Sequence, residues 1–437
     1  MCGIFGVYNK TIGQVSDLIA GLKLLQHRGK DGFGLIKFNN RTYREYRAEG
    51  IVKMSYANMK HDIKAGIGHT RYKTSGSSTI EGRLNELQPL KEKFKGQYIY
   101  IAHNGNIPQV KGHDTTYLLQ YICSNQTYSI EDVLIDIMNM IPASYSIMIL
   151  YKGQIYAMRD RYGVRPLCIG EDKNRYYISS ESCALPENSY KRDIMAGEIV
   201  KINTNGIQSV YKHPRIYDGL CLFEIIYFLN PKSWCDGINV KRLRYYLGEK
   251  LAGKEGENFN KDYVVIGIPE TGIIAGRGYA QVLNLEYKQL IRKNREAGRT
   301  FILLTNERRV RACKKKFLYD KDNLKDKNII LVDDSIVRGN VMKSLVDNLK
   351  DCGVKEIHVR IPSPPVIDVC DLGIAIHKKD ELIMHNRTVE EVGKELGVNS
   401  LNYLYINEMG GMIPNDSYTQ CFTGEISKEI KDWKAIY

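Results

Sequence analysis

Two places in the chain combine residue types that do chemistry. Cys2 follows the initiator methionine. Removal of Met1 leaves a cysteine whose free α-amine sits beside its own thiol. One residue then offers a nucleophile for an amide carbonyl and a base whose reference pKa, near about 8, suits proton transfer at neutral pH. Taken alone, a cysteine at position 2 is more often structural or incidental than a nucleophile. The second place is the run Ile329, Ile330, Leu331, Val332, which ends in Asp333 and Asp334 and continues as Ser335, Ile336, Val337, Arg338, Gly339 and Asn340. Such an apolar run fits a strand buried on both faces of a parallel sheet, and open α/β sheets bind ligands beyond the carboxyl ends of their strands. A polar turn feeding a helix presents unpaired N–H groups and a positive dipole end to a phosphate. Carboxylates accept hydrogen bonds from vicinal hydroxyls, so an acidic pair before such a cradle suits a sugar phosphate, with Arg338 adding charge. No GxxxxGK[ST] loop occurs.

These groups need elements to hold them. Apolar residues recur at Met342, Leu345, Val346 and Leu349, which is helical spacing; Gly353 closes that helix, and a strand from Ile357 to Ile361 completes a βαβ crossover. Earlier, SYSIMILYKGQIYAMRD, YGVRPLCIG, RYYISSESCAL and GEIVKI read as short strands broken by Gly, Asn and Asp, the pattern of antiparallel sheets in a sandwich. The pattern shifts between residues 215 and 240, so domains are expected at 2–222 and 223–437, and 437 residues give room for both cores. No apolar run approaches the roughly 18 residues of a membrane span, and no basic stretch followed by an apolar one opens the chain. A cytoplasmic protein without a membrane partner is expected. Ten scattered cysteines lack the density of a disulfide scaffold and are expected mostly as thiols. The formal charge of +13 is spread along the chain without a nucleic-acid module, so no nucleic acid is expected. Its densest part, Arg308 to Lys316, is either a solvated helix face or part of a well for a polyanionic substrate.

The companions of Cys2 give it a role. MCGIFGVY, GLKLLQHRGKDGFG (21 to 34), IGHTRYKTSGSS (67 to 78), IAHNGNI (101 to 107) and GHDTTYLL, in that order, resemble the class II glutamine amidotransferase domain. The resemblance implies an N-terminal-nucleophile αββα sandwich with Cys2 as nucleophile and its α-amine as base. It also places Arg71 on the α-carboxylate of glutamine, Asp114 on its α-ammonium, and the Asn104 side chain with the Gly105 N–H in an oxyanion hole. The chemistry agrees: a guanidinium forks onto a carboxylate, an aspartate neutralises an ammonium, and two aimed donors stabilise a developing oxyanion. Only Met1 is expected to need removal, since no propeptide precedes Cys2. RDRYGVRPL and SSESCAL resemble the same domain, with Arg161 where the family usually has proline, a change expected to matter only locally. His103 is expected to be a structural hydrogen-bonding residue.

NIILVDDSIVRGN resembles the 5-phosphoribosyl-diphosphate (PRPP) loop of type I phosphoribosyltransferases, which implies a doubly wound parallel-sheet domain. CLFEIIYFLNPKSW (221 to 234), with DGINV after it, resembles the linking segment of the amidophosphoribosyltransferase family, which joins these two domains. YVVIGIPETG (263 to 272) resembles its pyrophosphate loop and puts Thr271 near metal and diphosphate. KNREAGRTFI (293 to 302) resembles the loop that folds over PRPP, where Lys293, Arg295 and Arg299 meet phosphates; Glu296 and Ala297 replace the usual Tyr and Val. With ELGVNSLNYL (395 to 404) the resemblance covers essentially the whole chain. It implies glutamine and PRPP as substrates, Mg2+ held by Thr271, Asp333 and Asp334, and PRPP bound by Asp333 to Asn340. Purine nucleotides as feedback ligands and a homo-oligomer, dimer or tetramer, are implied as well. The expected reaction makes 5-phosphoribosylamine, diphosphate and glutamate, the first committed step of purine nucleotide synthesis.

Some members of that family hold a [4Fe–4S] cluster with four cysteines. Cys221, Cys370 and Cys421 match three of them, but Tyr418 stands where the motif CxxC(F/L)TG has its first cysteine. Cys235 substitutes only if the fold brings it close. A cluster with a non-cysteine ligand and no cluster at all are both open, the second being favoured. Arg161, Glu296, Ala297 and Tyr418 also leave two other functional readings: a non-catalytic regulatory paralogue that binds PRPP or nucleotide, and an ammonia-only phosphoribosyltransferase with an inactive glutaminase.

Overall fold

The structure, a computed structural model, describes residues 1–437 except 54–61, 73–79, 109, 111, 215–218, 257–258, 295–315 and 437. The chain opens with β1 (Gly3–Gln14), α1 (Ser16–Leu24), β2 (Gly32–Phe38), β3 (Tyr43–Glu49), β4 (Asp62–Arg71) and α2 (Ile80–Asn85). There follow β5 (Leu90–Phe94), β6 (Gln97–Asn106), α3 (Asp114–Ser124), α4 (Ile130–Met140), β7 (Ser144–Tyr151) and β8 (Gln154–Arg159). β9 (Cys168–Glu171), β10 (Arg175–Ser179), β11 (Tyr190–Asp193), β12 (Glu198–Asn203) and β13 (Gly206–Lys212) complete this half.

These strands make two sheets, ordered β11-β9-β10-β1-β4-β2-β3 and β13-β12-β8-β7-β6-β5, with antiparallel neighbours throughout. Side chains alternate across a strand, so each sheet divides its apolar residues between two cores. Ile4 and Tyr8 of β1 meet Met148 and Leu150 of β7 between the sheets. Phe5 and Val7 face outward under Leu18, Ile19 and Leu22 of α1. Ile147 and Ile149 face outward under Leu118 of α3 and Leu134 of α4. Helix, sheet, sheet, helix is the αββα layering that the resemblance implied. Because both faces of β7 are covered, all eight of its residues are buried.

A π turn, Glu224–Phe228, closed by the Leu229 N–H on the Glu224 carbonyl (2.9 Å), leads into the second half. This half runs β14 (Trp234–Cys235), β15 (Ile238–Asn239), α5 (Val240–Gly253), β16 (Tyr263–Gly267), α6 (Ile273–Leu283), β17 (Glu286–Tyr287), β18 (Ile291–Lys293) and β19 (Phe317–Tyr319). After them come α7 (Lys321–Leu324), β20 (Asn328–Val332), α8 (Asn340–Asp351), β21 (Glu356–Ile361), α9 (Val389–Leu396), β22 (Ser400–Tyr403), α10 (Gln420–Thr423) and α11 (Lys428–Ile436).

The parallel sheet is ordered β17-β16-β20-β21-β22, with β20 at its centre as expected. Ile329 and Leu331 face one core with Leu345 and Leu349 of α8, while Ile330 and Val332 face the other with Leu243 of α5 and Tyr279 of α6. In chain order the strands lie 2-1-3-4-5, which puts the topological switch point between β16 and β20. The loops after those two strands are Ile268 to Gly272 and Asp333 to Gly339, so the sheet order alone selects both predicted phosphate loops. No helix among the described residues is long and apolar enough to cross a membrane.

Candidate active sites

Cys2 sits just before β1 at the end of β4. The register Gly3↔Thr70 brings its thiol to Tyr72, whose N–H donates to Sγ at 3.5 Å. Arg28 Nε donates to the Cys2 carbonyl at 2.8 Å, and the same guanidinium pairs with Glu181 and Glu224, each at 2.6 Å. Arg165 reaches Glu224 from the other side at 3.0 Å. All four side chains are fully buried, so the backbone of Cys2 is fixed by an ionic network that runs into the π turn. Met1 is buried too, and desolvation pushes its amine down to about 5, with Cys2, Arg28, Glu224 and Arg165 close enough to be felt.

Arg71 ends β4 and donates to Glu86 at 2.6 Å. Asp114 starts α3, accepts from the Thr115 N–H at 2.8 Å and lies 3.6 Å from His103 Nδ1. Burial opposes its charge, yet His103, His113 and the Thr115 N–H hold the carboxyl below the usual range. His113 lies in the fields of Asp114, Arg71, His103 and Glu86, so Arg71 and Asp114, far apart along the chain, lie close to the same imidazole. His103 Nδ1 also meets Thr115 Oγ1 at 3.2 Å, and the His103 main-chain N–H donates to Gln88 Oε1.

Asn104 follows on β6. It is buried, and neither its amide oxygen nor its amide nitrogen has a partner among the described residues. An unsatisfied buried amide costs about 1 to 3 kcal/mol, so a side chain held this way is poised for a polar group that enters the pocket. Beside it, a Cβ on Gly105 would fall 2.0 Å from the Ser144 carbonyl, so only glycine lets the strand run this close.

The second site lies at the switch point. Thr271 Oγ1 donates to Asp333 at 3.1 Å, and Asp333 also accepts from the Asp334 N–H at 3.0 Å. Ser335 Oγ donates to Asp334 at 2.6 Å. Burial and the neighbouring Asp334 push the Asp333 carboxyl well above the usual range. Gly272 allows the two loops to touch, because a Cβ there would stand 2.1 Å from the Val332 carbonyl. No described residue accepts a hydrogen bond from the main-chain N–H of Ser335, Ile336, Val337, Arg338 or Gly339. Gly339 caps α8, whose first residue is Asn340, and the loop is pinned from behind by the Ile383 N–H on the Val337 carbonyl at 3.0 Å. Arg338 pairs with Glu381 at 2.7 Å, and Lys293 with Glu270 at 3.2 Å. Arg295, Arg299, Glu296, Ala297 and nearly all of the basic run from Arg308 lie outside the described residues.

Two residues at the π turn carried no expected role. Tyr227 of the π turn is 40% exposed, yet enough protein surrounds it that desolvation, with Asp334, Tyr72 and Asp333 nearby, raises its phenol pKa. Its phenol is within electrostatic range of the Tyr72 phenol and of the acidic pair. Arg244 of α5 holds that turn by donating to the carbonyls of Ile225 (3.0 Å) and Leu229 (2.7 Å). Tyr227 lies in the linking segment CLFEIIYFLNPKSW, where no role is assigned to it, and Arg244 lies in none of the quoted motifs.

Cys221, Cys370 and Cys421 are buried and close enough that each of the first two raises the pKa of Cys421. Tyr418 lies beside them, bridged to Cys221 by backbone pairing, and its hydroxyl donates to Gln420. Cys235 does not join them; it lies with Asp193 and Asp236, near Arg159. Arg161 reaches further than expected. It pairs with Glu429 of α11 at 3.1 Å and donates to the Asn139 carbonyl at 2.9 Å, so the residue in place of proline ties the C-terminal helix to the first half.

A phosphoribosyl transferase domain model matches residues 239–361. The amidophosphoribosyltransferase of Methanothermobacter thermautotrophicus is 34% identical over 100% of this chain and 97% of its own length. That of Bacillus subtilis is 31% identical over 98% of this chain and 94% of its own. A solved glutamine PRPP amidotransferase from B. subtilis, complexed with ADP and GMP, superposes with a TM-score of 0.87 at 30% identity and covers 98% of both chains. With likeness at this level from end to end, the chain belongs to the amidophosphoribosyltransferase family.

Proposed function

We propose that this chain hydrolyses glutamine at Cys2 and passes the ammonia internally to PRPP, giving 5-phosphoribosylamine, diphosphate and glutamate, the first committed step of purine nucleotide synthesis. Glutamine chemistry belongs to residues 2–222 and PRPP chemistry to residues 223–437. With Met1 removed, the Cys2 amine takes the thiol proton as Sγ attacks the side-chain amide. Arg71, steadied by Glu86, takes the α-carboxylate of glutamine, and Asp114 takes its α-ammonium. Asn104 and the Gly105 N–H receive the oxyanion, which gives the unpartnered amide of Asn104 its partner. The amine returns the proton to departing ammonia, and water releases glutamate from the thioester.

The observation that carries the PRPP assignment is the row of N–H groups from Ser335 to Gly339, without acceptors among the described residues, at the switch point beside an acidic pair. Those N–H groups hold the 5-phosphate, and Asp333 and Asp334 accept from the ribose hydroxyls. Two carboxylates and the Thr271 hydroxyl are hard oxygen donors that fit Mg2+. When bound, Mg2+ offsets charge on the diphosphate leaving group. Lys293, Arg295 and Arg299 add charge over the phosphates, purine nucleotides act as feedback ligands, and the chain works as a homo-oligomer in the cytoplasm.

The donors do not fit a [4Fe–4S] cluster. Three thiols face a tyrosine committed to Gln420, and Cys235 is elsewhere. Protein purified anaerobically should contain neither iron nor acid-labile sulfide at stoichiometric levels; one cluster per chain would reverse this assignment. The function itself is tested by following glutamate and diphosphate release with glutamine plus PRPP and with ammonium plus PRPP. Both donors should give diphosphate. Release with neither refutes the reading, and release with ammonium alone identifies an inactive glutaminase.

A further inference from the structure

The oxyanion end of β6 is held on one side only by its own sheet. Pairing with β7 continues to Asn106↔Ser144, but pairing with β5 covers only Gln97 to Ile101, so among the described residues Asn104, Gly105 and Asn106 have no strand on their other edge. Asn106 and Ser144 are cross-strand partners whose side chains share one face, and the second half of the chain packs on that face. Asn106 Nδ2 donates to the Asp371 carbonyl at 2.7 Å across 265 positions, and Ser144 Oγ donates to the Leu372 carbonyl at 2.7 Å. Arg165, already paired with Glu224, donates to the same Leu372 carbonyl. Gly373, at φ +103°, comes so close that an added Cβ would lie 3.2 Å from Asn106 Cβ and 3.5 Å from the Gly105 carbonyl carbon.

The Asp371 segment is braced from behind. Gln420 Nε2 donates to Asp371 Oδ2 at 2.6 Å while the Asp371 N–H donates to Gln420 Oε1 at 3.0 Å. Tyr418 donates to that same Gln420 oxygen, and Lys434 of α11 pairs with Asp371 Oδ1 at 2.7 Å. Trp433 on the same helix donates its indole N–H to the Pro108 carbonyl at 3.3 Å, just past Asn106. A continuous hydrogen-bonded path therefore runs from Tyr418 and α11 through Gln420 and Asp371 to the residue next to Gly105.

We propose that the Asp371–Gly373 segment, braced by Gln420 and Lys434, is a positioning element for the oxyanion hole, with Asn106 as the residue through which it acts. The inference rests on the glutaminase reading above. An oxyanion donor stabilises the transition state only if aimed at the developing charge, and a misplacement of about 1 Å costs about 100-fold. An edge segment that carries such donors needs an external buttress, and here the partner half of the same chain provides it. Glutamine hydrolysis then depends on how the two halves dock, without any ligand contact by the buttress.

The test uses the full-length protein. Asn106→Leu, close in shape but without the amide, should lower kcat for glutamine hydrolysis by about 10- to 100-fold. KM for glutamine and ammonia-dependent turnover should stay within about twofold, because neither Arg71, Asp114 nor the PRPP loops are touched. Lys434→Met, which loosens Asp371 from outside, should lower the same kcat by about threefold or more. Glutamate γ-semialdehyde, an aldehyde that forms a tetrahedral adduct with a thiol, should bind more weakly in proportion to kcat, whereas affinity for glutamate should not change. Unchanged glutamine kcat in the soluble variants overturns the proposal; if Asn106→Leu does not fold, Lys434→Met decides. Equal losses in glutamine and ammonia turnover with a lowered Tm also overturn it, since they mark a merely structural role. Absence of glutaminase activity in the unmodified protein would instead refute the underlying reading.

Discussion

Asn104 is the residue where local energetics and function diverge most. A buried amide with no partner is a liability in a core and an asset in an oxyanion hole. Asn104→Ala removes the unsatisfied group. Glutamine kcat should fall by about 100- to 1,000-fold while Tm holds or rises, as followed by glutamate release and thermal unfolding. At the second site, Asp333→Asn and Asp334→Asn keep the shape and remove charge. Each should lower kcat/KM for PRPP by some tens-fold or more, on the order of 2 to 4 kcal/mol, and leave PRPP-independent glutamine hydrolysis intact. Unchanged PRPP kinetics in both would show that the loop has another role. These residues were legible because each carries its chemistry in its own motif. Tyr227, Asn106 and Glu86 were not, since each acquires its role from a neighbour distant in sequence.

At the scale of elements, β20, its loop and α8 were readable throughout. The apolar run marks a central strand, and the spacing of Met342, Leu345, Val346 and Leu349 matches the buried face of α8. Sheet order was out of reach, because 2-1-3-4-5 is fixed by which edges pair and no strand's own pattern states it. Arg161 shows the same limit. Its local context suggested a local effect, whereas its partner Glu429 lies on α11, near the other end of the chain. The contact between the two loops at the switch point gives a sharp test. Gly272→Ala drives a Cβ against the Val332 carbonyl and should destabilise the protein by about 1 to 3 kcal/mol while weakening PRPP binding, read by denaturant unfolding and by PRPP kinetics. A variant with unchanged PRPP kinetics would mean that the loops need not touch.

At the scale of the molecule, one apolar core runs from Met1 through Leu220 and the π turn to Ile330 and Val332, and the buried ions Arg28, Glu181, Glu224 and Arg165 cross the same junction. Arg28→Met leaves two buried carboxylates short of a partner and should cost about 3 to 5 kcal/mol of stability. Burial disfavours the Glu181 carboxylate, but Arg28 and His27 hold its pKa below the unfolded-state value near about 4.3. Its stabilising contribution is therefore complete above that value and is lost as pH falls through the lower folded-state value, so Tm should drop in acid and drop less in Glu181→Gln. The central claim is that two separate sites in one chain share an ammonia intermediate. Cys2→Ala tests it most directly, with diphosphate release measured from PRPP plus glutamine and from PRPP plus ammonium. The account predicts loss of the glutamine-dependent rate with ammonia-dependent turnover kept within about twofold; equal loss of both rates, or survival of the glutamine-dependent one, would contradict it.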